Sequence, residues 1–81
     1  MSDSVELTLY SREGCGLCDE MLSELHKRYG SRVRVRVVNI AEDRSLVARY
    51  GERIPVLVHE GEELCFGRLN PDRLAPLLLR S

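Results

Sequence analysis

Tyr10-Ser11-Arg12-Glu13-Gly14-Cys15-Gly16-Leu17-Cys18 is the stretch on which the reading of this chain turns. Ahead of it, Val5, Leu7 and Leu9 alternate with Glu6, Thr8 and Tyr10, the period of two expected of a strand with one apolar face. Behind it, Met21, Leu22, Leu25 and Tyr29 recur at helical offsets, and Gly30 stands where a left-handed C-terminal cap belongs. Ser11 to Gly14 breaks the strand pattern and the cysteines follow at once. The cysteine pair is therefore expected at a strand-to-helix junction.

That placement carries chemistry. Two cysteines separated by two residues at a helix start lie one turn apart, near enough to close a disulfide with little backbone movement. Cys15, at the helix mouth, faces unpaired backbone N–H groups and the positive end of the dipole, and both favour the reactive thiolate. Cys18, inside the first turn, suits a resolving thiol that attacks a mixed disulfide from within. Arg12 adds a cation three residues ahead, while Asp19 and Glu20 oppose the thiolate and stabilise the helix. Zinc sites use the same cysteine spacing, but a zinc ion here needs two more ligands from His26, His59 and Cys65. None of these supplies a second close pair. His26 falls beside Lys27 and Arg28 on what reads as a solvated face, and His59 ends a strand, so no metal is expected. Cys65 has two readings, a buried structural cysteine or a third redox thiol.

The rest of the chain supplies alternating elements. Val33, Val35 and Val37 alternate with Arg32, Arg34 and Arg36, a strand whose charged face suits a sheet edge; a basic recognition surface is the other reading. Ala41 to Tyr50 predicts a short helix with Leu46, Val47 and Tyr50 inward, ended by Gly51. Ile54 to Val58 reads as a strand opening with Pro55, and Glu60-Gly61 as a tight turn into a fourth strand, Glu63 to Phe66. A two-residue loop there pairs Cys65 with Val56. Asn70 is a good N-cap for a last helix with Pro71 at its first position and Leu74, Leu77 and Leu78 as its buried stripe. Pro76 is expected to kink that helix or end it early. The order is βαβαββα, an α/β arrangement in one domain over residues 1–81, with a right-handed parallel crossover between the first two strands.

Composition narrows the function. The 81 residues carry 12 basic and 13 acidic side chains, a net charge of −1, which argues against nucleic acid as a partner because phosphate affinity needs surplus cations. No apolar run approaches the roughly 20 residues of a membrane span, and the N-terminus is acidic and polar, so a cytoplasmic protein with no membrane association is expected. Three cysteines are too few, and odd, for a secreted disulfide framework. In a reducing compartment a Cys-x-x-Cys pair is catalytic or metal-binding sooner than a structural staple.

The segment Tyr10 to Cys18 resembles the active-site segment of glutaredoxins: a strand-end Tyr-Ser, a base three before the first cysteine, then the pair. Arg53-Ile54-Pro55-Val56 is similar to the segment that carries the cis-proline of thioredoxin-fold proteins. The Ala41–Gly51 helix leading into it resembles small bacterial glutaredoxin-like proteins. This resemblance implies a thioredoxin-like, glutaredoxin-type fold, with a four-stranded mixed sheet in the order 2-1-3-4 and three helices, the first and third on one face. It implies a cis Ile54–Pro55 bond and backbone near Ile54 that pairs with a peptide-like substrate. It implies a monomeric thiol–disulfide oxidoreductase in which Cys15 and Cys18 are catalytic and Arg12, Arg53, Ile54, Pro55 and Gly67 bind substrate. The partners are a disulfide-bearing protein or glutathione, with glutathione or a reductase as electron donor and no bound cofactor. The chain departs from the family pattern in four places. Gly16 and Leu17 replace the usual Pro and aromatic residue, and Arg53 replaces a Thr. Phe66-Gly67-Arg68-Leu69-Asn70 holds only a remnant of the Gly-Gly-x-Asp glutathione signature, in which Asn70 or Asp72 would meet an amine. Leu9 stands where thioredoxins keep a buried Asp. Two other readings remain: an interaction domain with little turnover, and a module holding zinc or a shared iron–sulfur cluster.

Overall fold

Strand β1 (Val5–Ser11) runs through the middle of the sheet, and its two neighbours define the topology. On one side it pairs parallel with β2 (Val33–Asn39), on the other antiparallel with β3 (Val56–His59). A hairpin returns β3 into β4 (Glu62–Phe66), so the strand order is β2-β1-β3-β4. Helices α1 (Gly16–Tyr29), α2 (Arg44–Tyr50) and α3 (Pro71–Leu79) complete the α/β arrangement. This computed structural model describes residues 4–79. Its sheet order and helix count are those of the thioredoxin-like fold implied by the resemblance.

A strand in the middle of a layered sheet is covered on both faces, and β1 divides its side chains accordingly. Leu7 and Leu9 join Met21, Leu25, Leu74 and Leu78 in the larger core, beneath α1 and α3. Tyr10 lies on the opposite face with Ile40, Tyr50, Val56 and Val58, beneath α2. Burial of these apolar side chains is the main stabilising term, at roughly 25 cal/mol per Å² removed from water. β2 is an edge strand, as its alternating arginines predict, and Arg34 approaches Glu6 across the pair at 4.0 Å.

Several local expectations shift. Gly30 has φ 51° but ψ −127°, outside the left-handed helical region, and its N–H bonds the His26 carbonyl before a 3-10 turn at 30–32. The helix expected from Ala41 begins at Arg44, because the Asp43 carboxylate accepts from the N–H groups of Ser45 and Leu46 and caps it there; a 3-10 turn occupies Ile40–Glu42. Val47, expected inward, is 45% exposed, while Tyr50 is buried. The β3 ladder starts at Val56, just after Pro55, so the proline takes no part in it. β4 starts one residue earlier than expected, at Glu62. Pro76 neither ends nor shortens α3, which runs on to Leu79. Both Pro76 and Asp72, whose carbonyl loses its amide partner, lie on the exposed side of the helix.

The hairpin contains the most consequential correction. A register shift between Leu57 and Val58 places Glu63 opposite Val58 but Cys65, not Leu64, opposite Leu57, so Cys65 does not face Val56 as expected. This is a β-bulge, and it turns both Leu64 and Cys65 toward the larger core while Glu63 and Phe66 lie on the α2 face. The turn itself has Glu60 at φ 49° and Gly61 at φ 82°, two consecutive positive values of the kind a two-residue hairpin loop requires. Glycine tolerates this conformation; glutamate does so at a cost. Replacing Glu60→Asn is therefore expected to raise stability by about 0.5 kcal/mol, and Gly61→Ala to lower it by about 1 kcal/mol. Denaturant midpoints at constant m-value measure both changes.

Candidate active site

β1 delivers the chain to the site through Ser11, buried at the strand end, and the turn at Arg12–Gly14. Cys15 follows in extended conformation as the N-cap of α1, and its Sγ accepts the Cys18 N–H at 3.1 Å. The Asp19 N–H returns to the Cys15 carbonyl at 3.2 Å, closing the first helical turn. Cys15 and Cys18 are joined as a disulfide, with Cα atoms 5.2 Å apart, inside the span such a bond bridges without backbone movement. The two cysteines are unequal in exposure. Cys15 is half-buried and Cys18 only 4% exposed. Asp19 is the acidic residue of the first turn, with Glu20 exposed beside it.

Arg12 and Arg53 both line a shallow hollow of about 760 Å³ that runs along α2, with Ile40, Val47 and Arg49 among its walls. The two arginines are not equivalent. Arg12 is exposed, whereas the Arg53 guanidinium donates to both Glu63 oxygens, at 2.6 and 3.1 Å, and to the Arg49 carbonyl at 3.1 Å. The expectation that both bind substrate therefore meets a competitor, since Glu63 already occupies the Arg53 fork. The Ile54–Pro55 bond is cis, as the resemblance implies, and Pro55 is buried. The Gly67 N–H donates to the Pro55 carbonyl at 2.8 Å, joining two residues that lie apart in sequence. Gly67 also shares a second hollow with Leu17, Glu20 and Met21, between α1 and the loop after β4. Asn70 turns its Oδ1 onto the Asp72 N–H at 3.1 Å and so serves as the α3 cap.

Sequence reasoning passed over four residues here: Glu63, Tyr50, Phe66 and Tyr10 as a partner of Tyr50. The Tyr10 and Tyr50 rings stack 4.5 Å apart, and Arg53 lies over both the Tyr50 and Phe66 rings. Opposite charge on Arg53 and Glu63 was a signal, but the residues meet only because the hairpin register brings them to one face. Among the described residues, no group of three or more His, Cys, Asp or Glu is arranged to hold a metal ion. His26 is exposed, and His59 lies 3.7 Å from its neighbour Glu60. No helix among the described residues is long and apolar enough to cross a membrane.

The profile of the Glutaredoxin-like domain (DUF836) matches residues 6–79. The chain belongs to this family. Two solved structures agree with it over nearly their full lengths. The solution structure of protein Ne2328 from Nitrosomonas europaea is 33% identical, with a TM-score of 0.78 over 95% of this chain and 94% of that one. The X-ray structure of protein XcR50 from X. campestris is 36% identical, with a TM-score of 0.72 over 93% and 97%. No curated protein matches the chain. A glutaredoxin-like domain with its Cys-x-x-Cys pair closed as a disulfide fits a thiol redox role.

Cys65, the free cysteine of this glutaredoxin-like chain, is half-buried against the larger core. Burial pushes its thiol above the ordinary value, against the opposing pull of the Asn70 N–H and the Arg73 charge. The folded state therefore keeps this proton to higher pH than the unfolded chain does. Its contribution is fully present below the ordinary thiol pKa and is lost as pH rises beyond it. Wild type is accordingly expected to lose stability from neutral to alkaline pH more steeply than Cys65→Ala, as read from denaturant midpoints at the two pH values.

Proposed function

We propose that this glutaredoxin-like protein is a dithiol thiol–disulfide oxidoreductase acting on protein or glutathione mixed disulfides. The observation that carries the reading is the Cys15–Cys18 disulfide at the N-terminus of α1, with one cysteine half-buried and the other buried. In the reduced protein, the Cys15 thiolate attacks one sulfur of a substrate disulfide. The substrate S–S bond breaks, one thiolate leaves and takes up a proton, and a Cys15–substrate disulfide forms. Cys18 loses its proton and attacks Cys15 Sγ, which expels the second substrate thiolate and closes the protein disulfide. Two electrons pass from the dithiol to the substrate, and two protons end on the released thiols. A thiol donor, either glutathione or a protein dithiol kept reduced by a reductase, restores the pair.

The helix mouth supports the order of attack. A thiolate on Cys15 receives the Cys18 amide and the positive end of a 14-residue helix, and Arg12 adds exposed positive charge nearby in sequence. Cys18 meets substrate only after Cys15 has been captured, because it is covered. Backbone beside Ile54 and Pro55 is the proposed pairing edge for a peptide-like partner, and Gly67 is tied to it through the Pro55 carbonyl.

Iodoacetamide at neutral pH is expected to label Cys15 of the reduced protein before Cys18, with labelling order read by peptide mass; the reverse order overturns the assignment of roles. Cys18→Ser is expected to accumulate the mixed disulfide that wild type resolves, and Cys15→Ser to form none. Turnover of a glutathione mixed disulfide, compared between glutathione and a thioredoxin reductase system, identifies the donor. A protein that cycles with neither donor and forms no mixed disulfide in the Cys18→Ser variant is not an oxidoreductase.

A further inference from the structure

Arg53 occupies the position two before the cis proline, where the related pattern has a small hydroxyl residue, and its surroundings suggest what the larger side chain does. The segment from Gly51 to Pro55 links α2 to β3 and has few backbone anchors of its own. The Gly51 N–H bonds the Val47 carbonyl, the Arg53 N–H bonds the Tyr50 carbonyl, and the Pro55 carbonyl accepts from Gly67, each at 2.8 Å. Between the last two anchors the chain is steered by a side chain. The Arg53 guanidinium is gripped by both Glu63 oxygens and the Arg49 carbonyl, and lies 5.8 Å from the Tyr50 ring centroid and 5.6 Å from that of Phe66.

This grip differs from an ordinary surface ion pair. Arg53 and Glu63 side chains are 38% and 33% exposed, and a single contact at that exposure contributes little. Here the contact is a two-pronged fork with a third bond to a carbonyl and an aromatic ring to either side, a geometry that a planar guanidinium matches and a lysine does not. The bulge in β4 completes it. Were the same residues paired without a bulge, Phe66 would fall opposite Pro55 on the other face of the sheet, and the fork would lose a wall.

We propose that Arg53 is a positioning residue: held by Glu63, it fixes the Arg53–Pro55 backbone in the geometry that pairs with a peptide-like disulfide partner, and does not itself bind that partner. The inference rests on the oxidoreductase reading above. Its consequence is selective. Pairing with backbone matters for a peptide disulfide and is irrelevant to a small disulfide that has no peptide group.

The test measures second-order oxidation of the reduced protein, in which the dithiol loses two electrons and two protons to one disulfide molecule and two thiols are released. The two oxidants are the symmetric disulfide of an acetylated, amidated Ala-Cys-Ala tripeptide and bis(2-hydroxyethyl) disulfide. In Glu63→Gln, the peptide reaction is expected to slow roughly tenfold, the order of loss that misplacement of a pairing group causes, while the small disulfide reacts as with wild type. Exchanging the pair, Arg53→Glu with Glu63→Arg, is expected to recover part of the peptide rate. Hydrogen exchange at the Gly67 amide, bonded to the Pro55 carbonyl, reads the segment without any substrate and is expected to speed up roughly tenfold in Glu63→Gln, as local opening becomes easier. Faster peptide reaction in Glu63→Gln would mean that the released Arg53 binds substrate directly, and overturns the proposal. Equal slowing with both disulfides, or unchanged Gly67 exchange, overturns it as well. Wild-type protein that reacts with neither disulfide removes the oxidoreductase reading and the inference together, an outcome distinct from failure of the clamp alone.

Discussion

Helix α1 begins without the hydroxyl or carboxylate that usually satisfies the first free amides of a helix. The Cys15 sulfur takes that place, accepting the Cys18 N–H. A disulfide sulfur is a weak acceptor, so this cap contributes less to the helix than a serine or aspartate would. The deficit reverses on reduction. A thiolate at the same position meets the same amide and the same dipole end as an anion, and a hydrogen bond to a charged acceptor is about twice as strong. The start of α1 is therefore better satisfied by a thiolate on Cys15 than by a disulfide sulfur there, in keeping with the order of attack proposed above. Because the cap is weak in the oxidised state, the helix has to be held from its other side. Met21 and Leu25, buried one and two turns further along, dock it on β1 through Leu7 and Leu9.

The second face of the sheet answers a different need. Only a two-turn helix, α2, covers it, and its core cluster is small: Ile40, Tyr50, Val56 and Val58, with Tyr10, Leu46 and Ile54 at its margin. A thin layer of this kind gains from planar groups that cover much area with few rotatable bonds. Tyr10 stacked on Tyr50, with Arg53 reaching on to Phe66, is such a sequence of planar groups. It runs from the end of β1, two residues before Arg12, to the end of β4, next to Gly67. The first segment leads into the cysteine turn and the second shares a hollow with Leu17, so the packing that stabilises the thin layer also sets where they lie.

What could be read from the residues follows the range of the interactions involved. The cysteine junction, the α1 stripe, the arginine-lined edge strand and the Asn70-Pro71 helix start depend on neighbours within a turn or on simple alternation, and all were legible. The start of α2 was misplaced because Asp43, a strong cap, outcompeted the weak helical signal of Ala41 and Glu42. The bulge was invisible, since nothing in Glu63-Leu64-Cys65-Phe66 marks an extra residue until the partner strand fixes the register. One unseen residue moved Cys65 from one face to the other and brought Phe66 onto the face of Arg53. The site was legible in its cysteine pair and its proline and illegible in the group that occupies Arg53, which meets it only through the register of the hairpin.

Separating redox change from unfolding is the remaining requirement on a protein of this size. Cys15 and Cys18 are three residues apart, so their bond closes a very small loop. In the chain-entropy account, such a loop constrains the unfolded chain by about 2 kcal/mol, against roughly 4.7 kcal/mol for a loop of 100 residues. Opening the bond therefore releases less constraint than opening one across a long loop would. The weight falls on the two apolar clusters, and of the two cysteines only Cys18 is fully buried. Reduction thus weakens the constraint on the unfolded state and strengthens the helix start in the folded one. For the proposed redox cycle, opposing terms of this kind leave the two apolar clusters as the scaffold on which the bond opens and closes.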